Sequence, residues 1–128
     1  MIASFSDLLA AAASQPEPQR LLFLFASADG QGKAKGKQRG TLQPLMCVDK
    51  LPAELDSFRA LADEADQISR DWDFVFIAGL NGANGQPPSS EDAEPHLNQM
   101  VNDLMGGHNM ARYVVLDRQE NPVMLQAG

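Results

Sequence analysis

The stretch Asp73-Phe-Val-Phe-Ile-Ala78 and the loop Gly79-Leu-Asn-Gly-Ala-Asn-Gly-Gln-Pro-Pro-Ser-Ser90 after it determine the fold prediction. Four large apolar side chains follow one another here without interruption, from Phe74 to Ile77. A strand with one wet face alternates apolar and polar residues, so an unbroken run indicates a strand covered on both faces. Glycines and two prolines then end the run. The pattern predicts a central strand of an α/β layer structure, followed by a wide loop.

The composition predicts one domain, residues 1–128. Apolar residues make up 44% of the chain and charged residues 21%, which is ordinary for a globular domain and argues against disorder. The net charge of -7 disfavours non-specific binding to nucleic acid or to an anionic membrane. We therefore expect no nucleic-acid partner and no membrane partner.

Cys47 is the only cysteine, which excludes an intrachain disulfide and a thiolate metal site. The first residues lack the basic segment of a signal peptide and include Asp7 where such a peptide stays apolar. No apolar stretch approaches transmembrane length. These features predict a cytoplasmic protein.

Further elements are predicted on both sides of the central strand. The apolar run at 21–26 predicts a first strand, and 41–49 predicts a second strand that Pro44 places at a sheet edge. Between them lies a flexible basic loop at about 29–40, which contains Lys33, Lys35, Lys37 and Arg39. Helical spacing predicts helices after Ser4, after Pro52 and near 92–105, and two strands end the chain at 112–117 and 123–126.

The predicted fold class is α/β, close to the α+β boundary. It is a single-domain mixed five-stranded sheet with three helices, in the order α-β-β-α-β-α-β-β. Two right-handed β-α-β crossovers link the second, third and fourth strands in parallel. For the last helix, Asp92 is preferred to Ser89 as the N-cap, because Pro95 then lies in the first turn, where it removes no hydrogen bond.

The loop at 79–90 supplies the candidate ligand-binding residues, because ligands of open parallel sheets bind beyond the carboxyl ends of the strands. These residues are Gly79, Asn81, Gly82, Asn84, Ser89 and Ser90. The glycine spacing does not fit the dinucleotide-binding pattern G-x-G-x-x-G. Acidic residues at the start of the next helix also oppose a bound phosphate.

No catalytic residue, metal ligand or cofactor is predicted. His96 and His108 lie twelve positions apart, across a pair of glycines, and cannot share one face of a helix. Gly36-Lys37 lacks the earlier glycine and the following Ser or Thr of a P-loop. Cys47, in an apolar strand, is expected to be a small and slowly reacting core residue. An enzyme is the least favoured class.

Three stretches carry a resemblance to a known family: Gln15-Pro-Glu-Pro-Gln-Arg-Leu-Leu-Phe-Leu-Phe-Ala26, Pro44-Leu-Met-Cys-Val-Asp-Lys-Leu-Pro52 and Pro88-Ser-Ser-Glu-Asp-Ala-Glu-Pro-His-Leu97. They resemble a family of small uncharacterised proteobacterial proteins, some of which carry an automatic label as the alpha subunit of ribonucleotide reductase. That label conflicts with a short chain that has a single cysteine, because the reductase needs a radical-forming cysteine and a reducing pair. The resemblance implies no activity and no site.

Two functional hypotheses follow. The first is a non-catalytic module that binds another protein or a copy of itself, with the strand at 123–126 as the exposed edge. The alternative is a protein that binds a small molecule, such as an anionic metabolite or a nucleotide. It would use the loop at 79–90, with the basic loop folding over the ligand.

Overall fold

The computed structural model describes residues 4–29, 41–106 and 113–123, and within these ranges the fold is a sheet between two layers of helices. The elements are α1 (Phe5–Ala13), β1 (Gln19–Asp29), β2 (Thr41–Lys50), a short 3₁₀ turn (Pro52–Glu54), α2 (Phe58–Asp66), β3 (Phe74–Asn81), α3 (Ser90–Met105) and β4 (Val114–Asp117). The basic residues of the loop at about 29–40, from Lys33 to Arg39, lie outside the described residues.

The four strands of the described chain are ordered β2-β1-β3-β4, and every neighbouring pair is antiparallel. The predicted mixed sheet with parallel crossovers is therefore wrong. β2 and β3 do run in the same direction, but β1 lies between them, and β4 runs opposite to β3. Of the predicted fifth strand at 123–126, only Val123 is described, and its backbone N–H donates to the carbonyl of Val115 at 2.9 Å.

The two central strands are covered on both faces, as their apolar runs predict. Phe23, Phe25 and Val75 face α1 and α2, whereas Leu24 and Phe76 lie in the cluster under α3. Each of these side chains is completely buried. Antiparallel strands commonly have one wet face, but here helices cover both sides of the sheet.

β2 is an edge strand, as Pro44 predicts. Phe25 pairs with Met46 and Ala26 pairs with Pro44, so Leu45 is an extra residue without a partner. This is a β-bulge, a device that interrupts pairing and twists a strand. Regular pairing with β1 continues on both sides of the bulge, over 41–44 and over 46–50.

Two predicted helix starts are wrong. α2 begins after the cap Ser57, whose hydroxyl accepts from the backbone N–H of Ala60 at 3.1 Å, rather than after Pro52. α3 begins after Ser89, whose side chain accepts from the N–H of Asp92, while the Asp92 carboxylate accepts from the N–H of Ser89. This reciprocal capping box satisfies two free donors and places Pro95 inside the helix.

A polar cluster closes the core at the start of β3. The Trp72 side chain is 1% exposed and packs edge-on against Phe25, with ring centres 5.1 Å apart. Its indole N–H donates to Asp66 at 3.0 Å, and the Arg118 guanidinium lies over the indole, 4.3 Å from its centre. Arg118 also donates to both carboxylate oxygens of Asp66, at 2.9 and 3.0 Å.

Candidate functional site

The loop after β3 contains a tight turn that joins Ala83 to Gln86. Their backbones exchange two hydrogen bonds of 3.0 Å, and the residues between them, Asn84 and Gly85, have φ of 55° and 77°. Two consecutive positive φ angles are the signature of a type I′ hairpin turn, for which Asn-Gly is the preferred sequence. The sequence interpretation described a wide glycine loop and missed this signal.

The connection between α1 and β1 holds the turn in place. The Gly82 N–H donates to the carbonyl of Pro18 at 2.8 Å, and the Gly85 N–H donates to the Glu17 carboxylate at 3.1 Å. The buried Gln19 side chain donates to the Asn81 amide oxygen. The loop is therefore hydrogen-bonded to the body of the domain at several points.

A shallow groove of about 450 Å³ lies between this loop and the first turns of α3. Of the six candidate residues, Asn81 and Gly82 line it. Gly79 lies outside it, because a Cβ there would point toward Leu21 on the opposite face of the sheet. Asn84 lies in the hairpin turn.

The two serines among the candidates have structural roles instead. Ser89 caps α3, and the Ser90 hydroxyl donates to the Asp49 carboxylate at 2.6 Å. Arg20 binds the same carboxylate at 2.6 Å and donates to the carbonyl of Pro88 at 2.7 Å. These bonds fix the start of α3 to β1 and β2.

The chemistry of the groove does not favour an anion. Its described lining contains Asp92 and His96 and no lysine or arginine. Its other walls are the backbone and small side chains of the loop, which offer amide groups from Asn81 and Gln86. Arg20 contacts Pro88 and Ser90 at the start of α3, but its guanidinium already pairs with Asp49.

The predicted closure of the basic loop over this groove is opposed by the topology. The groove lies at the Asn81 end of β3, where Asn81 pairs with Gln19, whereas the loop leaves from Asp29 at the other end of β1. Ten steps along a strand separate Gln19 from Asp29 by roughly 33 Å. A chain that leaves Asp29 and returns to Thr41 after eleven residues can reach outward by at most roughly 20 Å. In addition, an antiparallel sheet removes the parallel-strand argument for a ligand at this loop.

The outer edge of β2 is the second candidate site. No strand in the described part of the chain pairs with its outer side. Leu45 is 38% exposed and Cys47 is exposed, while Met46 and Val48 are half-buried. The two charged residues at its end form salt bridges within the domain. Asp49 pairs with Arg20, and Lys50 pairs with Glu64 at 2.8 Å. The edge is therefore apolar and electrostatically neutral.

One flank of α3 begins beside this edge. Ser90, which bonds to β2, is followed seven, eleven and fifteen positions later by Leu97, Val101 and Met105. This spacing places the four residues on one side of the helix, together with Glu94, which follows Ser90 by four positions and is exposed. Leu97 and Val101 are half-buried against the core, and Met105 is 69% exposed. We call Leu97, Val101 and Met105 the α3 flank.

Cys47 is not the core residue that the sequence predicts. It lies on the edge strand opposite Leu24, and its side chain is exposed. Partial desolvation raises the pKa of the thiol, so the thiolate is scarce at neutral pH. The apolar run around it indicated a strand but not which strand lies at the edge.

Neither a metal centre nor a membrane span is found in the parts of the chain that the structure describes. Within 4–29, 41–106 and 113–123, no group of three His, Cys, Asp or Glu residues could hold a metal ion. None of the helices described there is long and apolar enough to cross a membrane.

The chain matches no family model, and neither a curated protein nor a solved structure is significantly similar to it. The resemblance to small proteobacterial proteins therefore stays a prediction, and the site has to be interpreted from its own geometry.

Proposed function

We propose that this protein is a non-catalytic binding module that recognises an extended polypeptide chain through the outer edge of β2. The observation that carries the proposal is the combination of a free strand edge with neutral, apolar surroundings. Backbone groups of such an edge pair with an added strand, and side-chain contacts on either face give specificity.

The pattern of charges on β2 supports this interpretation. Exposed edge strands are commonly protected from pairing by outward lysines, prolines or bulges. Here Pro44 and the bulge at Leu45 interrupt the first half of the strand. In the second half, Lys50 is bonded to Glu64 and Asp49 is bonded to Arg20. No unpaired charge of β2 itself therefore opposes strand pairing at 46–48.

A selection of displayed peptides against the purified protein tests the proposal. Selected peptides should lose binding to a Leu45→Lys/Cys47→Lys variant, because charged lysines on the edge strand oppose pairing with an added strand. They should keep binding to Ile68→Lys, which adds one of these two positive charges at an exposed apolar side chain outside β2 and α3. Peptides that bind the edge variant as tightly as the wild type would contradict a β2 site.

The second candidate function is small-molecule binding in the groove beside Asn81 and Gly82. The groove volume of about 450 Å³ lies within the range of ligand sites. With Asp92 and His96 in its wall, a neutral or cationic ligand suits it better than the anionic metabolite or nucleotide first considered. Thermal shift against a metabolite panel separates the candidates, because saturable stabilisation favours the groove.

The setting proposed for this module is the cytoplasm, with protein partners rather than nucleic acid or membrane. A single cysteine suits a reducing compartment, and the charge of -7 opposes polyanionic partners.

A further inference from the structure

We propose that the β2 edge binds a polypeptide segment in which apolar and basic residues alternate. The inference rests on the proposed function of the edge and adds the chemistry of the partner. Successive side chains of an added strand point to opposite faces of the sheet. Each face of the sheet beside β2 therefore selects every second residue of the partner.

The face of β2 toward α1 and α2 suits apolar residues of the partner. Met46 and Val48 point to this face and pack against the core beneath the two helices. Both side chains are only half-buried, and no strand in the described part of the chain covers their outer side. The next residue on this face, Lys50, is already bonded to Glu64 at 2.8 Å. Apolar side chains of an added strand therefore bury the remaining surface of Met46 and Val48.

The face of β2 toward α3 suits a basic residue. Cys47 is exposed on this face, because it pairs with Leu24, which lies under α3. The Ser90 hydroxyl donates to the Asp49 carboxylate at 2.6 Å, so the first turn of α3 lies beside β2. Glu94 is exposed one helical turn further along the same side of α3, about 6 Å from Ser90. An added strand lies about 4.8 Å from β2, so a long basic side chain on this face comes within reach of the Glu94 carboxylate.

The charges of α3 make this face acidic. The helix contains no lysine or arginine, and its acidic residues are Glu91, Asp92, Glu94 and Asp103. Asp92 caps the helix and Asp103 is buried, but neither Glu91 nor Glu94 has a hydrogen bond or an ion pair among the residues that the structure describes. Arg20, which contacts the start of α3, is already paired with Asp49. A basic residue of the partner therefore supplies a missing counter-charge, whereas an acidic residue is repelled.

Fluorescence anisotropy with three labelled peptides tests this inference. The first peptide alternates valine with lysine, and the second alternates valine with glutamate. The third has the composition of the first, but its valines and lysines stand in separate halves. Only the alternating valine-lysine peptide should bind tightly, and its affinity should fall as added salt screens the attraction.

Glu94→Lys measures the contribution of the α3 face. Affinity for the valine-lysine peptide should fall about five- to tenfold, because an attraction becomes a repulsion. Affinity for the valine-glutamate peptide should rise above that of the wild type, which a folding defect would not produce. Asp71→Lys is the matched control, because it makes the same change in net charge at an exposed residue just before β3, a strand that β1 separates from the β2 edge.

The outcomes distinguish this inference from the proposed function. A valine-lysine peptide that fails to bind the wild type overturns the inference. Equal affinities for Glu94→Lys and Asp71→Lys, or for the alternating and the segregated peptide, also overturn it, because binding then follows net charge alone. If selected peptides nevertheless lose binding to Leu45→Lys/Cys47→Lys, the proposed function stands without the inference. Peptides whose binding ignores those edge substitutions as well overturn both.

Discussion

Replacing Asp66 with asparagine should destabilise the protein at neutral pH and leave it nearly unchanged in acid. The Asp66 carboxylate accepts from Trp72 at 3.0 Å and from Arg118 at 2.9 and 3.0 Å. Asparagine preserves the shape and one acceptor oxygen but removes the charge. Hydrogen bonds to charged groups contribute about 1.5–3 kcal/mol, and solvent lowers this for partly exposed pairs. The Asp66 and Arg118 side chains are 18% and 33% exposed, so we expect a loss of about 1–2 kcal/mol.

The pH dependence follows from the pKa of Asp66. Burial raises this pKa, but hydrogen bonds from Arg118 and Trp72, with the charges of Arg118 and Arg70, hold it below its ordinary value. The stabilisation is therefore fully present above the unfolded pKa of about 3.9 and is lost as the pH falls through the lower folded value. The difference between wild type and Asp66→Asn should shrink over the same interval.

Urea unfolding of both proteins at neutral and acid pH measures this difference. Asp63→Asn is a matched control, because Asp63 pairs with Arg59 at 3.5 Å while both side chains are largely exposed. Its effect should stay within about 0.5 kcal/mol. Equal midpoints for wild type and Asp66→Asn at neutral pH, or a difference that persists in strong acid, would refute the role of the charged cluster.

Three further predictions concern the core, the loop and the thiol. Phe76→Ala should lower the free energy of unfolding by about 3–5 kcal/mol, because Phe76 is completely buried; a midpoint near that of wild type would contradict its central place. Gly82→Ala should destabilise by about 1–3 kcal/mol, because the added Cβ would overlap the carbonyl oxygen of Gln86; unchanged thermal unfolding would show that the backbone adapts freely. Cys47 should react with Ellman's reagent in the native protein, but more slowly at neutral pH than a free thiol because its pKa is raised; reaction only after unfolding would show that the thiol is buried in the core.

The covered central strands could be predicted from the sequence, but their direction could not. An unbroken apolar run indicates that both faces of the strand are shielded from solvent. Phe76 and Leu24 are buried, as that pattern predicts. The same pattern arises whether helices cover a parallel or an antiparallel sheet. β1 lies between β2 and β3, and it pairs with β3 although the two strands are distant in sequence. The local pattern of apolar residues cannot indicate such long-range pairing.

The candidate site could also be predicted only in part from the sequence. Pro44 correctly indicated an edge strand, and the loop after β3 does border a groove that Asn81 and Gly82 line. Preferring Asp92 as the cap gave too much weight to Pro95, since the reciprocal bonds between Ser89 and Asp92 start the helix earlier. The neutral edge of β2 was missed, because Asp49 and Lys50 appear as exposed charges until their partners, distant in sequence, are known.

Hydrogen exchange of the β2 amides, measured with and without a saturating selected peptide, tests the binding role of this edge most directly. In the free protein, the amides of 46–50 that point away from β1 should exchange rapidly, since no described strand pairs with them. With the peptide bound, the same amides should become protected, while the amides of β3 stay unchanged because β3 already pairs on both sides. Outward β2 amides that exchange equally fast with and without the peptide would contradict binding through the β2 edge.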